Sequence, residues 1–187
     1  MLKFTVLLPI LLIYILITGL MAFIKKNDCY TYLCNIAFGI YICFLLKVAF
    51  FPIPIQKEAI LGLQNASLDY NFIPLRSIIN IICENITSPK IMLLQILGNF
   101  LMLFPIGVYI PIVFKKYQSA KWMFILLLFV GIVIEITQHI LNMVVGFHYR
   151  SVDIDDIILN ALGGMAGYLV HKFVRLIYHS TKQHEEK

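Results

Sequence analysis

Residues 122–142 read WMFILLLFVGIVIEITQHILN. A helix needs about 20 apolar residues to cross a hydrocarbon core about 30 Å thick, and Trp122–Asn142 supplies them almost without interruption. Four further stretches have the same character: Phe4–Ile24, Tyr30–Phe51, Ile91–Phe114 and Ile157–Tyr178. The composition agrees. Of the 187 residues, 60% are hydrophobic and 13% are charged, where an average soluble domain carries about 25% charged residues. The mean hydropathy of +0.87 lies on the membrane side. Alternating runs of about 10 residues, which a membrane barrel would show, do not recur. The fold class is therefore all-α: a polytopic helical membrane bundle of about five transmembrane helices. No linker is long enough to separate two domains, so 1–187 is expected to form a single membrane domain. Lys25 and Lys26 follow the first apolar run, which marks it as a retained helix rather than a cleaved signal.

Charge sets the expected orientation, because short cytoplasmic loops are enriched in Lys and Arg. With the N-terminus outside, the inner segments hold Lys25, Lys26, Lys115, Lys116, Lys121, Lys172, Arg175, Lys182 and Lys187. The outer segments hold Lys3, Lys57, Arg76, Lys90 and Arg150. The expectation is a multi-pass membrane protein, N-terminus outside and C-terminus cytoplasmic. The acids Glu58, Asp69, Glu84, Asp153, Asp155 and Asp156 then all fall on the outer side. Pro52–Lys90 becomes a long outer loop, of a length that is often functional, and its Ser77–Ile86 part is apolar enough to lie on the bilayer or the bundle.

Within the apolar stretches, ionisable groups are functional candidates, because a charge at a membrane helix centre costs about 3 kcal/mol. Lys47 lies about one turn from its helix end and can extend its stem to the headgroups. Glu135 cannot: at 1.5 Å per residue it lies about 10 Å below the outer surface. Gln138 and Asn142 share its face. Gln95 and Asn99 are i, i+4 neighbours on the third helix, with Asn99 about 12 Å below the same surface. On the fifth helix, Asp153, Asp156 and Asn160 form one stripe that continues into Gly163 and Gly167. Three polar stripes in the outer half suit a cavity open to the outside; the plainer reading is interhelical hydrogen-bond glue, worth under about 2 kcal/mol per contact.

Other features read as structural. Pro105 should kink the third helix and free carbonyls near Leu101. Gly163-Gly164 and Gly167 make a small-residue surface for close packing. Asp153 or Asp155 could cap the fifth helix. Arg150 could pair with Asp153 or Asp156, or grip a phosphate or carboxylate. Cys29, Cys34, Cys43 and Cys83 show no CxxC spacing, and they read as small apolar residues. His139 and His148 are lone histidines without a metal motif. No metal or cofactor is expected, and nothing points to nucleic acid.

Several of these residues also sit in an ordered series of short motifs. They are Asn71-Phe72-Ile73-Pro74-Leu75, Gly98-Asn99-Phe100, Phe104-Pro105-Ile106-Gly107, Glu135-Ile136-Thr137-Gln138, Arg150-Ser151-Val152-Asp153-Ile154-Asp155-Asp156 and Asn160-Ala161-Leu162-Gly163-Gly164-Met165-Ala166-Gly167. In order and spacing the series resembles the VanZ-like family of teicoplanin-resistance membrane proteins, over a core of about 71–168. The resemblance implies a multi-pass protein of the bacterial plasma membrane that lowers sensitivity to glycopeptide and lipoglycopeptide antibiotics. It implies no mechanism.

Two functional readings follow. In the favoured one, an outward polar cavity binds a lipid headgroup, a lipid-linked cell-wall precursor or the antibiotic, with Arg76, Asn99, Glu135, Gln138, Arg150, Asp153, Asp156 and Asn160 as its candidate residues. In the alternative, a membrane enzyme acts on a lipid-linked phosphate or headgroup at the outer face, and the acids serve as acid, base or metal ligands. A small transporter fits less well, since such proteins show paired repeats. The oligomeric state is left open.

Overall fold

The computed structural model describes residues 2–25, 29–54, 70–83 and 89–185. Of the long loop 52–90, residues 55–69 and 84–88 lie outside the described residues, and with them Lys57, Glu58, Asp69 and Glu84; Lys26 and Lys187 do as well. Among the described residues, five helical spans have the length and apolarity to cross a membrane. The chain divides into two compact units, Met1–Leu68 with Ile140–Arg150, and Asp69–His139 with Ser151–Lys187.

The first unit is built on a helical hairpin. A 3-10 turn, Phe4–Val6, leads into α1 (Leu7–Lys25), and α2 (Cys29–Phe50) returns beside it. The hairpin is held by contacts that suit a medium without water. The Tyr14 hydroxyl donates to the Asn35 carbonyl at 3.1 Å, and its ring lies so close over Gly39 that an added Cβ would meet it at 2.3 Å. The Thr18 hydroxyl turns back onto the Tyr14 and Ile15 carbonyls of its own helix, so its O–H is satisfied without water. Leu2 and Ile53 pair across the ends as an antiparallel bridge. The Lys47 ammonium rests 4.8 Å from the Phe4 ring centroid, a cation–π contact close to the helix end, where its stem was expected to reach.

The same unit holds Ile140–Arg150, the end of a long helix and the turn after it. Gly146 takes φ +83°, the left-handed conformation that a helix-terminating residue needs and only glycine adopts cheaply. Its N–H bonds the Asn142 carbonyl. The Asn142 side chain, 2% exposed, gathers the turn by accepting the Tyr149 and Arg150 N–H groups at 3.2 Å and donating to the Arg150 carbonyl at 2.8 Å.

The second unit starts with β1 (Tyr70–Asn71) and α3 (Arg76–Cys83). It continues through α4 (Pro89–Met102), α5 (Phe104–Val113) and a 3-10 turn at Lys115–Gln118. It contains α6 (Ala120–Val145) as far as His139, then β2 (Val152–Asp153) and α7 (Ile154–Glu185). The third apolar stretch is thus two helices with a break at Leu103, which is fully buried. Pro105 sits in the first turn of α5; it has no N–H for the Leu101 carbonyl, which is the reason for the interruption predicted there. A second proline, Pro111, lies inside α5.

The seam between α4–α5 and α7 is made of backbone. A Cβ on Gly163 would lie 1.5 Å from the Phe100 carbonyl oxygen, and one on Gly167 would lie 2.1 Å from that of Phe104. Contacts advance together along both chains, so the two spans run parallel, with α6 as the crossover. From α6, Leu127 packs on Gly164 and Gly131 on Ile157. Leu103, Met123, Leu127 and Tyr168 form the dry centre.

Burial is inverted relative to a water-soluble domain. Leu16, Phe44, Leu94, Phe129 and Phe173 are each at least 60% exposed, whereas Asn71, Glu135, Gln138, Asn142, Asp153, Asp155 and Asn160 are buried. Exposed apolar side chains match an acyl solvent, and polar groups removed from it must find partners inside.

Candidate functional site

The polar residues of the second unit converge where α7 begins. Two strands of two residues each bring the loop there: Tyr70 pairs with Val152 and Asn71 with Asp153, in parallel. Asp153 then caps α7. Its Oδ1 accepts the Asp155 N–H at 2.8 Å and the Asn71 side-chain N–H at 2.8 Å. Its Oδ2 accepts the Ser77 hydroxyl. This is the cap expected for the fifth helix, and the positive end of the helix favours the charge.

Asp155, absent from the candidate residues, does more. It is 1% exposed, and its two oxygens accept the backbone N–H groups of Leu75 at 2.5 Å, Ser77 at 2.9 Å and Ile78 at 3.3 Å. Those are the donors that the start of α3 leaves unsatisfied. A carboxylate at the start of one helix therefore caps another. Leu75 takes φ +66°, a conformation costing a non-glycine residue about 1–2 kcal/mol, and charge-assisted bonds of this kind offset that cost.

Asp156 points to another partner, accepting the Asn99 side-chain N–H. Glu135, 5% exposed, accepts the Asp153 backbone N–H at 3.0 Å. Four residues singled out by their stripes, Asn99, Glu135, Asp153 and Asp156, are thus joined in pairs across three helices. Gln138 and Asn160 are buried on α6 and α7; the Oδ1 of Asn160 has no hydrogen-bond partner among the described residues. Gln95 is exposed.

Two hollows flank this knot. One, of about 270 Å³, is walled largely by apolar groups: Phe72, Ile132, Ile136, Val152, Ile154 and Ile157, with Tyr70, Glu135, His139 and Asp153. Tyr70 bonds His139 Nδ1 at 3.0 Å and stacks on Phe72. The other, of about 520 Å³, is polar and lined by Tyr70, Asn71, Arg76, Ser77, Asn80 and Ser151. Arg76 is exposed at the first turn of α3. Tyr70 lines both hollows. Sequence reasoning passed over Tyr70 and Asn80 and took Phe72 only as part of the Asn71–Leu75 motif; the one signal for Tyr70 and Asn80 was their nearness to that motif. Among the described residues, no three His, Cys, Asp or Glu side chains are grouped so as to hold a metal.

Arg150 belongs to the first unit. One guanidinium nitrogen donates to the Phe51 carbonyl at 2.8 Å, and the Tyr149 hydroxyl donates to the Phe50 carbonyl at 3.3 Å. Both satisfy carbonyls at the C-terminal end of α2, where the helix dipole favours a cation. Burial pushes the Tyr149 phenol up and the Arg150 guanidinium down from their ordinary values.

No curated protein and no solved structure matches the chain. A family model, VanZ/LLP1, matches residues 38–175. That range runs from the middle of α2 to the C-terminal part of α7 and takes in the carboxylate knot and both hollows. By that match the chain belongs to the VanZ/LLP1 family, as a multi-pass, all-helical membrane protein.

Proposed function

We propose that the protein lowers sensitivity to glycopeptide and lipoglycopeptide antibiotics such as teicoplanin by binding an amphiphile at the outer face. The carrying observation is the pair of hollows that share Tyr70: one apolar and walled by isoleucines, the other polar and bordered by Arg76 and Asn80. A lipid, a lipid-linked wall precursor or an acylated antibiotic has both halves, a chain for the first hollow and a headgroup for the second. Arg76 supplies a bidentate cation for phosphate or carboxylate, and Glu135 and His139 stand where chain and headgroup meet. Asn99 and Asp153, with Gln138 and Asn160, hold this frame, and Asp156 adds a negative charge beside it. Arg150 steadies the neighbouring turn.

Binding is favoured over catalysis because the carboxylates of Asp153 and Asp155 are occupied by N–H and O–H donors. An acid or base needs a proton path to substrate. The charge count along the chain supports an outward site with the N-terminus outside, and membership of the family suits a bacterial plasma membrane. Phe147→Cys, on a background without native cysteines, should react with an impermeant thiol reagent in intact cells, and Ser119→Cys should not; the reverse pattern inverts the orientation.

The functional test titrates expression while following antibiotic tolerance, membrane lipids and wall precursors. Tolerance should rise in proportion to protein copies, with Arg76→Ala and Glu135→Gln removing it at unchanged protein levels. A lipid or precursor pool altered already at low expression would overturn binding in favour of turnover.

A further inference from the structure

Charge also gathers near the opposite end of the α7 span, where the site above makes no use of it. A cavity of about 300 Å³ is lined there by Gln118, His171, Lys172, Arg175 and Leu176. No acid lines it. Gln118 is fixed on three sides: its Nε2 donates to the Pro111 carbonyl, its own carbonyl accepts the Tyr168 hydroxyl at 2.6 Å, and its Oε1 accepts one Arg175 nitrogen at 2.7 Å. Arg175 is thereby aimed and keeps further N–H donors for an acceptor. Nε2 of His171 is buried with no hydrogen-bond partner among the described residues. The Lys172 ammonium lies 5.3 Å from the Tyr168 ring.

We propose that this pocket binds the phosphate group of an anionic phospholipid. The donor set suits phosphate: a guanidinium held at one corner, a point-charge ammonium and an imidazole N–H. The depth suits a lipid. At 1.5 Å per residue, Lys172 and Arg175 stand about 27–32 Å along α7 from Ile154, which is one hydrocarbon thickness. Trp122 and Tyr117, the aromatic pair that marks a membrane interface, lie at the same end, with Lys116 stacked 4.4 Å over the Trp122 ring. Leu169, Phe173 and Leu176 are each more than 60% exposed on the adjoining helix surface. A phosphate in the pocket thus has its acyl chains laid along them.

The full chain, purified in detergent, is titrated with phosphatidylglycerol, phosphatidylcholine and inorganic phosphate, and bound species are counted by native mass spectrometry. Phosphatidylglycerol should be retained in preference to phosphatidylcholine, and each charge removed, by Lys172→Gln or Arg175→Gln, should weaken retention about fivefold. Arg175→Lys keeps the charge and most of the binding, which separates loss of a ligand contact from loss of the Gln118 anchor. Equal retention of the two lipids, or retention unchanged in Lys172→Gln, overturns the proposal. Displacement of the lipid by millimolar inorganic phosphate also overturns it, assigning the pocket to a soluble phosphate compound instead.

Discussion

At the start of α7, Asp153 and Asp155 are buried and turn their carboxylates onto backbone and side-chain donors. Near its other end, Lys172 and Arg175 are exposed and border an open cavity. The acids look like the catalytic end in a list of charged residues, yet they close two helix termini and fix a loop. The difference teaches that a charge inside a membrane protein is read by its partners. A carboxylate surrounded by N–H groups that would otherwise be orphaned is part of the frame; a cation with donors to spare beside a hollow is available to a ligand.

The comparison depends on a rigid α7, and the largest effect should come from breaking its seam. Gly163→Val places carbon where the Phe100 carbonyl lies. Flexible side chains can yield to such an intrusion, but backbone cannot without separating the helices. The variant should lose about 3 kcal/mol or more, seen as a collapsed thermal transition in detergent and as lost expression. A normal transition would mean that the spans do not pack as closely as described.

The next effect sharpens the comparison at its acid end. Asp155→Ala strips the Leu75, Ser77 and Ile78 N–H groups of their acceptor and should cost about 2–3 kcal/mol. Hydrogen exchange should rise first in α3, because that helix loses its cap while α7 keeps Asp153. Uniform exchange throughout the unit would show that Asp155 stabilises α7 rather than the loop.

A smaller change separates charge from hydrogen bonding. Asp156→Asn keeps an acceptor for Asn99, so stability should move by less than about 1 kcal/mol. Antibiotic tolerance should nevertheless fall, as it should if the negative charge helps orient a ligand. Tolerance equal to the parent would move Asp156 into the frame with Asp153.

The fold was legible because bilayer physics writes long signals: among the described residues, five apolar runs gave five spans, the third of them broken at Leu103, with ends displaced by a few residues. Pro105 announced the break between α4 and α5, and Gly163 and Gly167 announced the seam. The candidate site was legible only by stripes. Helical spacing brought out Asn99, Glu135, Asp153 and Asp156, which do meet. It missed Asp155, since that residue leaves the Asp153–Asp156 face to meet a loop distant in sequence. It also carried no information on Tyr70, which reaches His139 only after a strand pairing of two residues. Arg150 was grouped with the acids by adjacency, whereas the hydrogen bond it makes goes to the end of α2. Contacts made by loops do not repeat with any helical period, so periodicity cannot show them.

The smallest expected effect on stability is the most informative about function. Arg76 is exposed in the first turn of α3 and borders the polar hollow. It sits at the positive end of that helix, where a cation is mildly unfavourable, so Arg76→Ala should leave stability within about 0.5 kcal/mol of the parent or slightly raise it. If the hollow receives an anionic headgroup, the same change should weaken retention of a phosphorylated amphiphile and remove tolerance, with α3 intact by hydrogen exchange. Arg76→Lys should recover part of both, since a point charge replaces the bidentate fork. The pair of variants isolates the ligand contact from the frame, as Asp155→Ala cannot. Full tolerance in Arg76→Ala would place the headgroup elsewhere, and a stability loss comparable to that of Asp155→Ala would make Arg76 part of the same knot.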